Sequence, residues 1–114
     1  MSFITRTEEF LLLTVGKCGD EASGMQIRKA MEQLTGRSYS IGGIYVPLDR
    51  LVRKGLLHAK ECGPSPERGG RRKRVYEVTG KGIKALQEVR RIEEQVWSNL
   101  PDLLTLRLGL SRPK

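Results

Sequence analysis

The pattern of apolar and polar residues at the start of the chain predicts an amphipathic helix with a well-defined first turn. Thr5 and Glu8 have the spacing of a capping box, in which each side chain accepts a hydrogen bond from the backbone amide of the other residue. Apolar residues then recur every three or four positions, which is the helical period. We expect this helix to run to about Val15, since Gly16 and Gly19 follow it.

Two further stretches have the same helical period. Ser23 and Gln26 form a second capping box, and the apolar stripe that follows it ends before Gly36. A third stretch begins near Ser40 and closes at Gly55. Its inward-facing positions are Ile44, Leu48, Leu51 and Val52. The first half of the chain is therefore expected to form three short helices.

Pro47 lies inside the third predicted helix, where a proline normally costs about 3 kcal/mol and kinks the backbone. Its ring would press on the carbonyl group of Gly43, where the missing side chain leaves room for adjustment. The same pattern can also be interpreted as a helix that begins later, near Tyr45.

Two short segments, residues 57–60 and 75–78, alternate apolar and polar side chains as half-buried β-strands do. The segment between them is rich in proline, glycine and arginine, so it is too polar to pack in a core. We expect an antiparallel hairpin with one long basic loop. From Thr79 the helical period resumes and continues to Leu100, and Pro101 breaks or kinks it ahead of a leucine-rich tail.

Composition adds a localised charge to this pattern. The 114 residues carry 21 Lys+Arg against 13 Asp+Glu, which gives a formal net charge of +8 and a pI near 9.9. Residues 63–114 hold twelve basic and six acidic residues, whereas residues 1–62 hold nine and seven. The densest basic cluster contains no acidic residue and consists of Arg68, Arg71, Arg72, Lys73 and Arg74. Such a patch is typical of a protein that binds a polyanion.

Other kinds of chemistry find little support in the sequence. The apolar run from Phe10 to Leu13 is too short to cross a bilayer and does not have the form of a secretory signal. Cys18 and Cys62 form no CxxC motif, which favours a reducing cytoplasm. His58 is the single histidine, with no nucleophile or ligand set beside it. We therefore expect no metal, no cofactor, no membrane association and no enzymatic activity.

The segment from Gly80 to Ala85 matches the G-x-G-x-x-G/A fingerprint of dinucleotide-binding proteins. The predicted hairpin before it is antiparallel, and no further strand–helix–strand unit follows, so the match does not predict a dinucleotide site. We interpret Lys81 and Lys84 as phosphate contacts or as exposed surface.

Three short helices, a hairpin and a long helix together describe a winged helix-turn-helix, so the predicted fold is mainly α with a small antiparallel β-hairpin (α+β). Two segments closely resemble the PadR-type transcriptional regulators: residues 43–57, with the sequence GIYVPLDRLVRKGLL, and residues 69–82, with the sequence GGRRKRVYEVTGKG. The resemblance covers roughly residues 5–100. One departure is the start of the second helix, where the family usually has Gly-Tyr and this chain has Gly24-Met25.

The resemblance implies a winged helix-turn-helix DNA-binding domain over residues 1–79 and a C-terminal dimerisation helix and tail over residues 80–114. The third helix would enter the major groove, since small residues at its start let the backbone approach closely and its amides and hydroxyls suit phosphate. The basic loop would be the wing, in contact with backbone phosphates or a narrow minor groove. The predicted DNA-binding residues are Ser38, Tyr39, Ser40, Gly42, Gly43, Tyr45, Val46, Arg50, Arg68, Arg71, Arg72, Lys73 and Arg74.

A less specific interpretation treats the two glycines as a frayed helix start and Arg50 and Arg53 as a solvated face. The neighbouring basic loop favours DNA over that interpretation. RNA fits less well than DNA, because RNA-binding proteins stack bases on aromatic side chains and only 5% of this chain is aromatic.

The long helix carries an apolar stripe that nothing else in so short a chain obviously covers. The first helix is also more apolar than a single buried face requires, and together they predict a homodimer of the PadR type. The predicted interface residues are Phe10, Leu13, Ile83, Leu86, Val89, Ile92, Val96 and Trp97. We interpret Trp97 as interface packing, or as the lining of a pocket for a small apolar effector, which some family members bind between subunits.

These features predict a cytoplasmic, homodimeric regulator that binds a pseudo-palindromic operator in double-stranded DNA and represses transcription. The alternative is a winged-helix module that binds other proteins without sequence-specific DNA contact. The basic wing and the glycine-rich start of the third helix favour the regulator.

Overall fold

The computed structural model describes residues 4–19, 22–62, 73–101 and 107. Its elements, in chain order, are α1 (Arg6–Cys18), β1 (Ala22–Ser23), α2 (Gly24–Thr35), α3 (Ile41–Arg53), β2 (Leu57–Cys62), β3 (Lys73–Val78) and α4 (Gly80–Trp97). The wing residues Arg68, Arg71 and Arg72 lie outside the described residues, as does nearly all of the leucine-rich tail.

Both predicted capping boxes are confirmed. At the start of α1, the amide of Thr5 donates to Glu8 Oε1 at 2.8 Å, and the amide of Glu8 donates to Thr5 Oγ1 at 3.1 Å. Ser23 and Gln26 make the same exchange at the start of α2, at 2.9 and 3.2 Å. α2 ends at Gly36, which has the left-handed conformation that favours glycine, as the sequence predicts.

The predicted end of α1 near Val15 is wrong, since the helix continues to Cys18. Gly16 lies inside the helix, and Gly19, with a φ of 77°, ends it. A glycine inside a helix costs about 1 kcal/mol relative to alanine. The burial of Leu12 and Val15 on the core side of α1 outweighs that cost.

α3 begins at Ile41, directly after Ser40, whose hydroxyl accepts a hydrogen bond from the amide of Gly43 at 2.9 Å. The alternative start near Tyr45 is therefore wrong. Pro47 lies inside α3 on its buried face. The amide that proline lacks would have bonded to the carbonyl of Gly43, in the first turn of the helix.

β2 and β3 form the predicted hairpin, with Leu57 opposite Val78 and Cys62 opposite Lys73. Each strand extends two residues further towards the loop than the sequence pattern predicts. The pattern also missed a third strand: β1 pairs antiparallel with β3, with Ala22 opposite Tyr76. The sheet order is therefore β1-β3-β2.

The hydrophobic core lies between α1, α2, α3 and the sheet. Its buried residues are Leu11, Leu12, Val15, Ala22, Ile27, Met31, Ile44, Leu48, Leu51, Leu56, Leu57 and Tyr76. α4 starts after Thr79, as predicted, and its first turns contact this core through Ala85 and Leu86. Gly82 lies so close to the carbonyl of Leu56 that a Cβ atom there would overlap with it.

The predicted α+β class and winged helix-turn-helix architecture are confirmed, with three helices and a small antiparallel sheet followed by a long α4. α4 ends at Trp97, before Pro101, so the helical period up to Leu100 overstates its length. None of the helices in the described part of the chain has the length and apolar character needed to cross a bilayer.

Candidate nucleic-acid interface

The solvent side of α3 is the candidate DNA-reading surface. Its opposite side is fully buried, because apolar residues at helical spacing point into the core: Ile44, Pro47, Leu48 and Leu51. Gly42, Val46 and Arg50 lie on the solvent side, where the side chain of Val46 is 55% exposed. Arg53 is exposed as well, and among the described residues neither arginine has an ion-pair partner.

The two glycines at the start of α3 have different surroundings. A Cβ atom on Gly42 would meet nothing within 4 Å, so the helix surface is open there to a close approach. A Cβ atom on Gly43 would lie 2.9 Å from Ser40 Oγ, the atom that caps the helix. Gly42 therefore leaves space for a partner, whereas Gly43 preserves the cap.

Tyr39 is held in place by hydrogen bonds on all sides. Its amide donates to Glu32 Oε2 at 3.0 Å, and its carbonyl accepts from Arg28 Nε at 2.8 Å. Its ring packs against the core, and its hydroxyl donates to Thr35 Oγ1 at 3.3 Å. The amide predicted to suit phosphate is thus already bonded, and Tyr39 supports the start of α3. Ser38 and Ser40 are exposed beside it.

Tyr45 is half-buried, and its ring lies against Gly24 at the start of α2. The contact is so close that a Cβ atom at Gly24 would overlap with the ring. The ring thus joins the two helices of the helix-turn-helix. Sequence reasoning missed the role of Gly24, although the Gly24-Met25 pair marked this position as the one departure from the family pattern.

The base of the wing is formed by the first residues of β3. Lys73 is half-buried opposite Cys62, and Arg74 is exposed. The guanidinium of Arg74 has two partners: its Nη2 atom lies 3.4 Å from Asp49 Oδ1, and its Cζ atom lies 5.5 Å from the centre of the Tyr76 ring. Asp49 belongs to α3, so this contact joins the base of the wing to α3.

Tyr76 lies beneath the same contact and is 1% exposed. Burial raises the pKa of its hydroxyl, Arg74 lowers it, and the nearby Asp49 and Tyr45 raise it further, so that the net shift is upward. Within the described residues the hydroxyl has no hydrogen-bond partner. The Tyr76 side chain is therefore a neutral, apolar platform under the guanidinium.

The other end of α3 is bound to both α1 and α4. Lys54, which follows the last residue of α3, pairs with the buried carboxylate of Glu8 at 2.8 Å. Lys81 Nζ donates to the carbonyl of Lys54 at 2.9 Å, and the Thr79 hydroxyl donates to the carbonyl of Gly55 at 2.7 Å. Lys81 Nζ therefore has a partner within the protein, which favours a structural role for Lys81 over the predicted phosphate contact.

The predicted dimer residues lie on α1 and along α4. Ile83, Val96 and Trp97 are 50%, 72% and 53% exposed. Leu13 is exposed too, and the remaining predicted residues are half-buried: Phe10, Leu86, Val89 and Ile92. These are large apolar side chains for which the described chain provides incomplete cover.

A groove of about 510 Å³ lies between α1 and the end of α2. Its apolar surface includes Phe10, Leu13 and Leu34, and its charged residues, Lys17 and Arg37 among them, are all basic. Trp97 is not among the lining residues, so the groove and the only tryptophan are separate features. Cys18 is a free thiol, and the described residues contain no cluster of ligands able to hold a metal ion.

Three packed helices and a three-stranded antiparallel sheet, whose first strand lies between α1 and α2, define a winged-helix protein. The chain belongs to the PadR-like family of transcriptional regulators, whose family model matches residues 12–88. The resemblance seen in the sequence is thereby confirmed. No curated protein sequence matches this chain.

Solved structures share the fold at low sequence identity. A PadR-like transcription factor from Bacteroides fragilis has a TM-score of 0.67 at 22% identity, over 79% of this chain and 82% of that one. The hsRosR-S4 complex, of RosR from H. salinarum, has a TM-score of 0.67 at 23% identity, over 87% and 78%. F93 from STIV, a winged-helix DNA-binding protein, has a TM-score of 0.66 at 16% identity, over 88% and 100%.

Proposed function

We propose that this protein is a homodimeric transcriptional repressor that binds a specific sequence in double-stranded DNA. The observation that carries the proposal is the contrast between the two sides of α3. One side is buried in the core, while the other presents Gly42, Val46 and Arg50 to solvent without an acidic partner for Arg50 among the described residues. A helix that enters the major groove needs this arrangement, with small residues for close approach and an arginine for base edges.

Each subunit would read one half-site. Arg50 suits bidentate contact with guanine, while Ser38 and Ser40 at the start of α3 suit phosphate. The wing residues Arg68, Arg71, Arg72 and Lys73 would add contacts to the backbone, which carry affinity rather than base identity. The likeness of the fold to F93, described as a DNA-binding protein, supports this assignment.

The dimer would be held by α1 and by residues 80–114, which include α4. The exposed apolar side chains of α4 supply the contact surface, and Val96 is the most exposed of them. Two-fold symmetry in the protein requires a pseudo-palindromic operator, with half-site centres about 34–36 Å apart.

The groove beside α1 is the place where a small apolar effector would act. Its volume of about 510 Å³ falls within the range of small-molecule sites. Phe10 and Leu13 line this groove and also belong to the predicted dimer surface. A ligand bound there would therefore touch residues of the proposed dimer interface.

The test is a binding titration with a DNA duplex taken from upstream of the protein's own gene and with a scrambled duplex of the same composition. Arg50→Ala should weaken binding to the first duplex by about fivefold or more, because a bidentate base contact is worth about 1–3 kcal/mol. The scrambled duplex should lose much less. Arg90→Ala, which removes an exposed arginine from α4, is the matched control and should bind as wild type.

Two results would contradict the proposal. Equal losses on both duplexes would mean that Arg50 touches only phosphate, and a wild-type protein with no preference between the duplexes would favour the protein-binding alternative. Repression itself is tested with a reporter under the same upstream DNA, whose expression should rise when the protein carries Arg50→Ala.

A further inference from the structure

Three side chains meet where α3 faces the base of the wing. Asp49 lies on α3, and Arg74 and Tyr76 lie on the same side of β3. The Arg74 guanidinium is the centre of this group, 3.4 Å from Asp49 Oδ1 and 5.5 Å from the centre of the Tyr76 ring. It therefore contacts α3 through its charge and its own strand through the aromatic face.

One oxygen of the Asp49 carboxylate depends on this contact, although the side chain as a whole is 45% exposed. Its Oδ1 atom is closed off from solvent, and within the described residues it accepts no hydrogen bond of good geometry. An enclosed charged oxygen is costly unless an opposite charge compensates for it. Arg74 supplies that charge. Its Nη2 atom is close enough to Asp49 Oδ1 for an ion pair but too far for a short hydrogen bond.

A phosphate contact by Arg74 would compete with this arrangement. The side chain of Arg74 is 47% exposed, but a guanidinium drawn onto a phosphate would share or give up its contacts with Asp49 Oδ1 and the Tyr76 ring, and that carboxylate oxygen would lose charge compensation. Arg50 differs, because it is exposed and, among the described residues, without an acidic partner. The two arginines on neighbouring elements are thus in opposite situations.

We propose that Arg74 is a positioning residue, which together with Asp49 clamps α3 to the base of the wing and acts on DNA binding through the placement of α3. This inference rests on the proposed function. It replaces the sequence-based expectation that Arg74 contacts DNA directly.

The decisive variant is Asp49→Asn. If Asp49 were merely an acidic residue near DNA, loss of its negative charge would strengthen binding to a polyanion. The clamp predicts the opposite result, a loss of about three- to tenfold on the cognate duplex, because α3 is no longer fixed against β3. Arg74→Gln should cause a similar loss. The double variant should lose no more affinity for the cognate duplex than the more damaging of the two single variants.

The salt dependence of binding separates positioning from phosphate contact. Each phosphate contact adds about 0.9 to the slope of log K against log salt. Arg74→Gln should leave the slope of wild type unchanged, whereas loss of a phosphate contact in both subunits would flatten it by about 1.8. A flattened slope, or an Asp49→Asn variant that binds as tightly as wild type or more tightly, would overturn the clamp while the proposed function stands.

The clamp can also be tested without DNA. In a double-mutant cycle of chemical unfolding, Asp49→Asn and Arg74→Gln should be non-additive, the double variant losing less stability than the sum of the two single losses. Additive losses would overturn the clamp whatever the DNA titrations show. A wild-type protein that fails to prefer its cognate duplex would instead count against the proposed function, and the unfolding cycle would still decide the clamp.

Discussion

α3 and α4 have the same kind of sequence pattern but very different surroundings. In both helices, apolar residues recur by threes and fours. α3 buries Ile44, Pro47, Leu48 and Leu51, whereas Gly82 is the only residue of α4 that is buried. Periodicity therefore identifies an apolar stripe, but it does not say whether the same chain covers it. In the proposed dimer, the second subunit would cover the exposed stripe of α4.

The difference arises from where each helix meets the domain. α3 lies between α1 and the sheet, so its whole inner face is enclosed. α4 contacts the core near its start, where Gly82 meets the Leu56 carbonyl and Leu86 packs on the core. Further along α4, Arg6 Nη1 of α1 lies 3.7 Å from Glu93 Oε1. This is a surface ion pair, which contributes little to stability.

The largest expected effect is on the stability of the core. Leu48→Ala should lower the free energy of unfolding by about 2–5 kcal/mol, because Leu48 is fully buried and its truncation leaves a cavity. Val96→Ala on α4 should change it by no more than about 0.5 kcal/mol under conditions in which the protein is monomeric. Urea unfolding of both variants measures the difference. Similar losses would show that α4 belongs to the core after all.

The second prediction concerns the association of subunits. Val96→Glu should weaken dimerisation by at least tenfold, or about 1.4 kcal/mol, because it places a charge in the proposed apolar seam. The monomer fold should survive, since Val96 is 72% exposed. Gln95→Glu introduces the same charge at the neighbouring, also exposed position and is the matched control. Sedimentation equilibrium over micromolar concentrations measures both.

Equal effects of Val96→Glu and Gln95→Glu would mean that net charge, rather than the α4 stripe, controls association. A wild-type protein that remains monomeric throughout this range would overturn the homodimer.

Features set by neighbouring residues could be predicted from the sequence. The capping boxes at Thr5 and Ser23 are correct because each needs only the side chains and backbone amides of two residues three positions apart. The start of α3 at Ser40 has the same origin. Local signals failed where packing outweighs them, as at Gly16, which is helical because the α1 face around it is buried in the core.

Features set by tertiary contact could not be predicted. β1 has two residues, and it forms only because β3 pairs with Ala22 and Ser23 from far along the chain. The contact of Tyr45 with Gly24, and that of Asp49 with Arg74, likewise depend on how α3 packs. The sequence predicts that one face of α3 reads DNA and that Arg74 contacts DNA, and both stay predictions. It carries no signal of the pairing of Arg74 with Asp49, which only the packing of α3 against β3 creates.

The smallest expected effects are on the pH dependence of stability, and they concern two neighbouring glutamates of α1, one facing α3 and the other facing α4. Glu8 points to the end of α3. Burial raises its pKa, but the hydrogen bond from Lys54 and those from Thr5 lower it by more, so that the pKa lies below 4.5. Glu9 points to α4. Burial raises its pKa, the carboxyl group of Glu93 raises it further, and Arg6 opposes both, so that the pKa lies above 4.5.

These opposite shifts predict opposite pH dependences of stability. The ionised Glu8 stabilises the fold above its unfolded-state pKa, and this contribution is lost as the pH falls through the lower folded value. The ionised Glu9 costs stability above its raised pKa, and protonation removes that cost. At pH 7, Glu8→Gln should therefore lower the melting temperature and Glu9→Gln should raise it, since an amide can donate to Glu93. Both differences should shrink towards about pH 3. Melting temperatures of both variants, measured across this pH range, test the two shifts. A Glu9→Gln variant that is less stable than wild type at pH 7 would show that the ionised Glu9 stabilises the fold, in contradiction of the raised pKa.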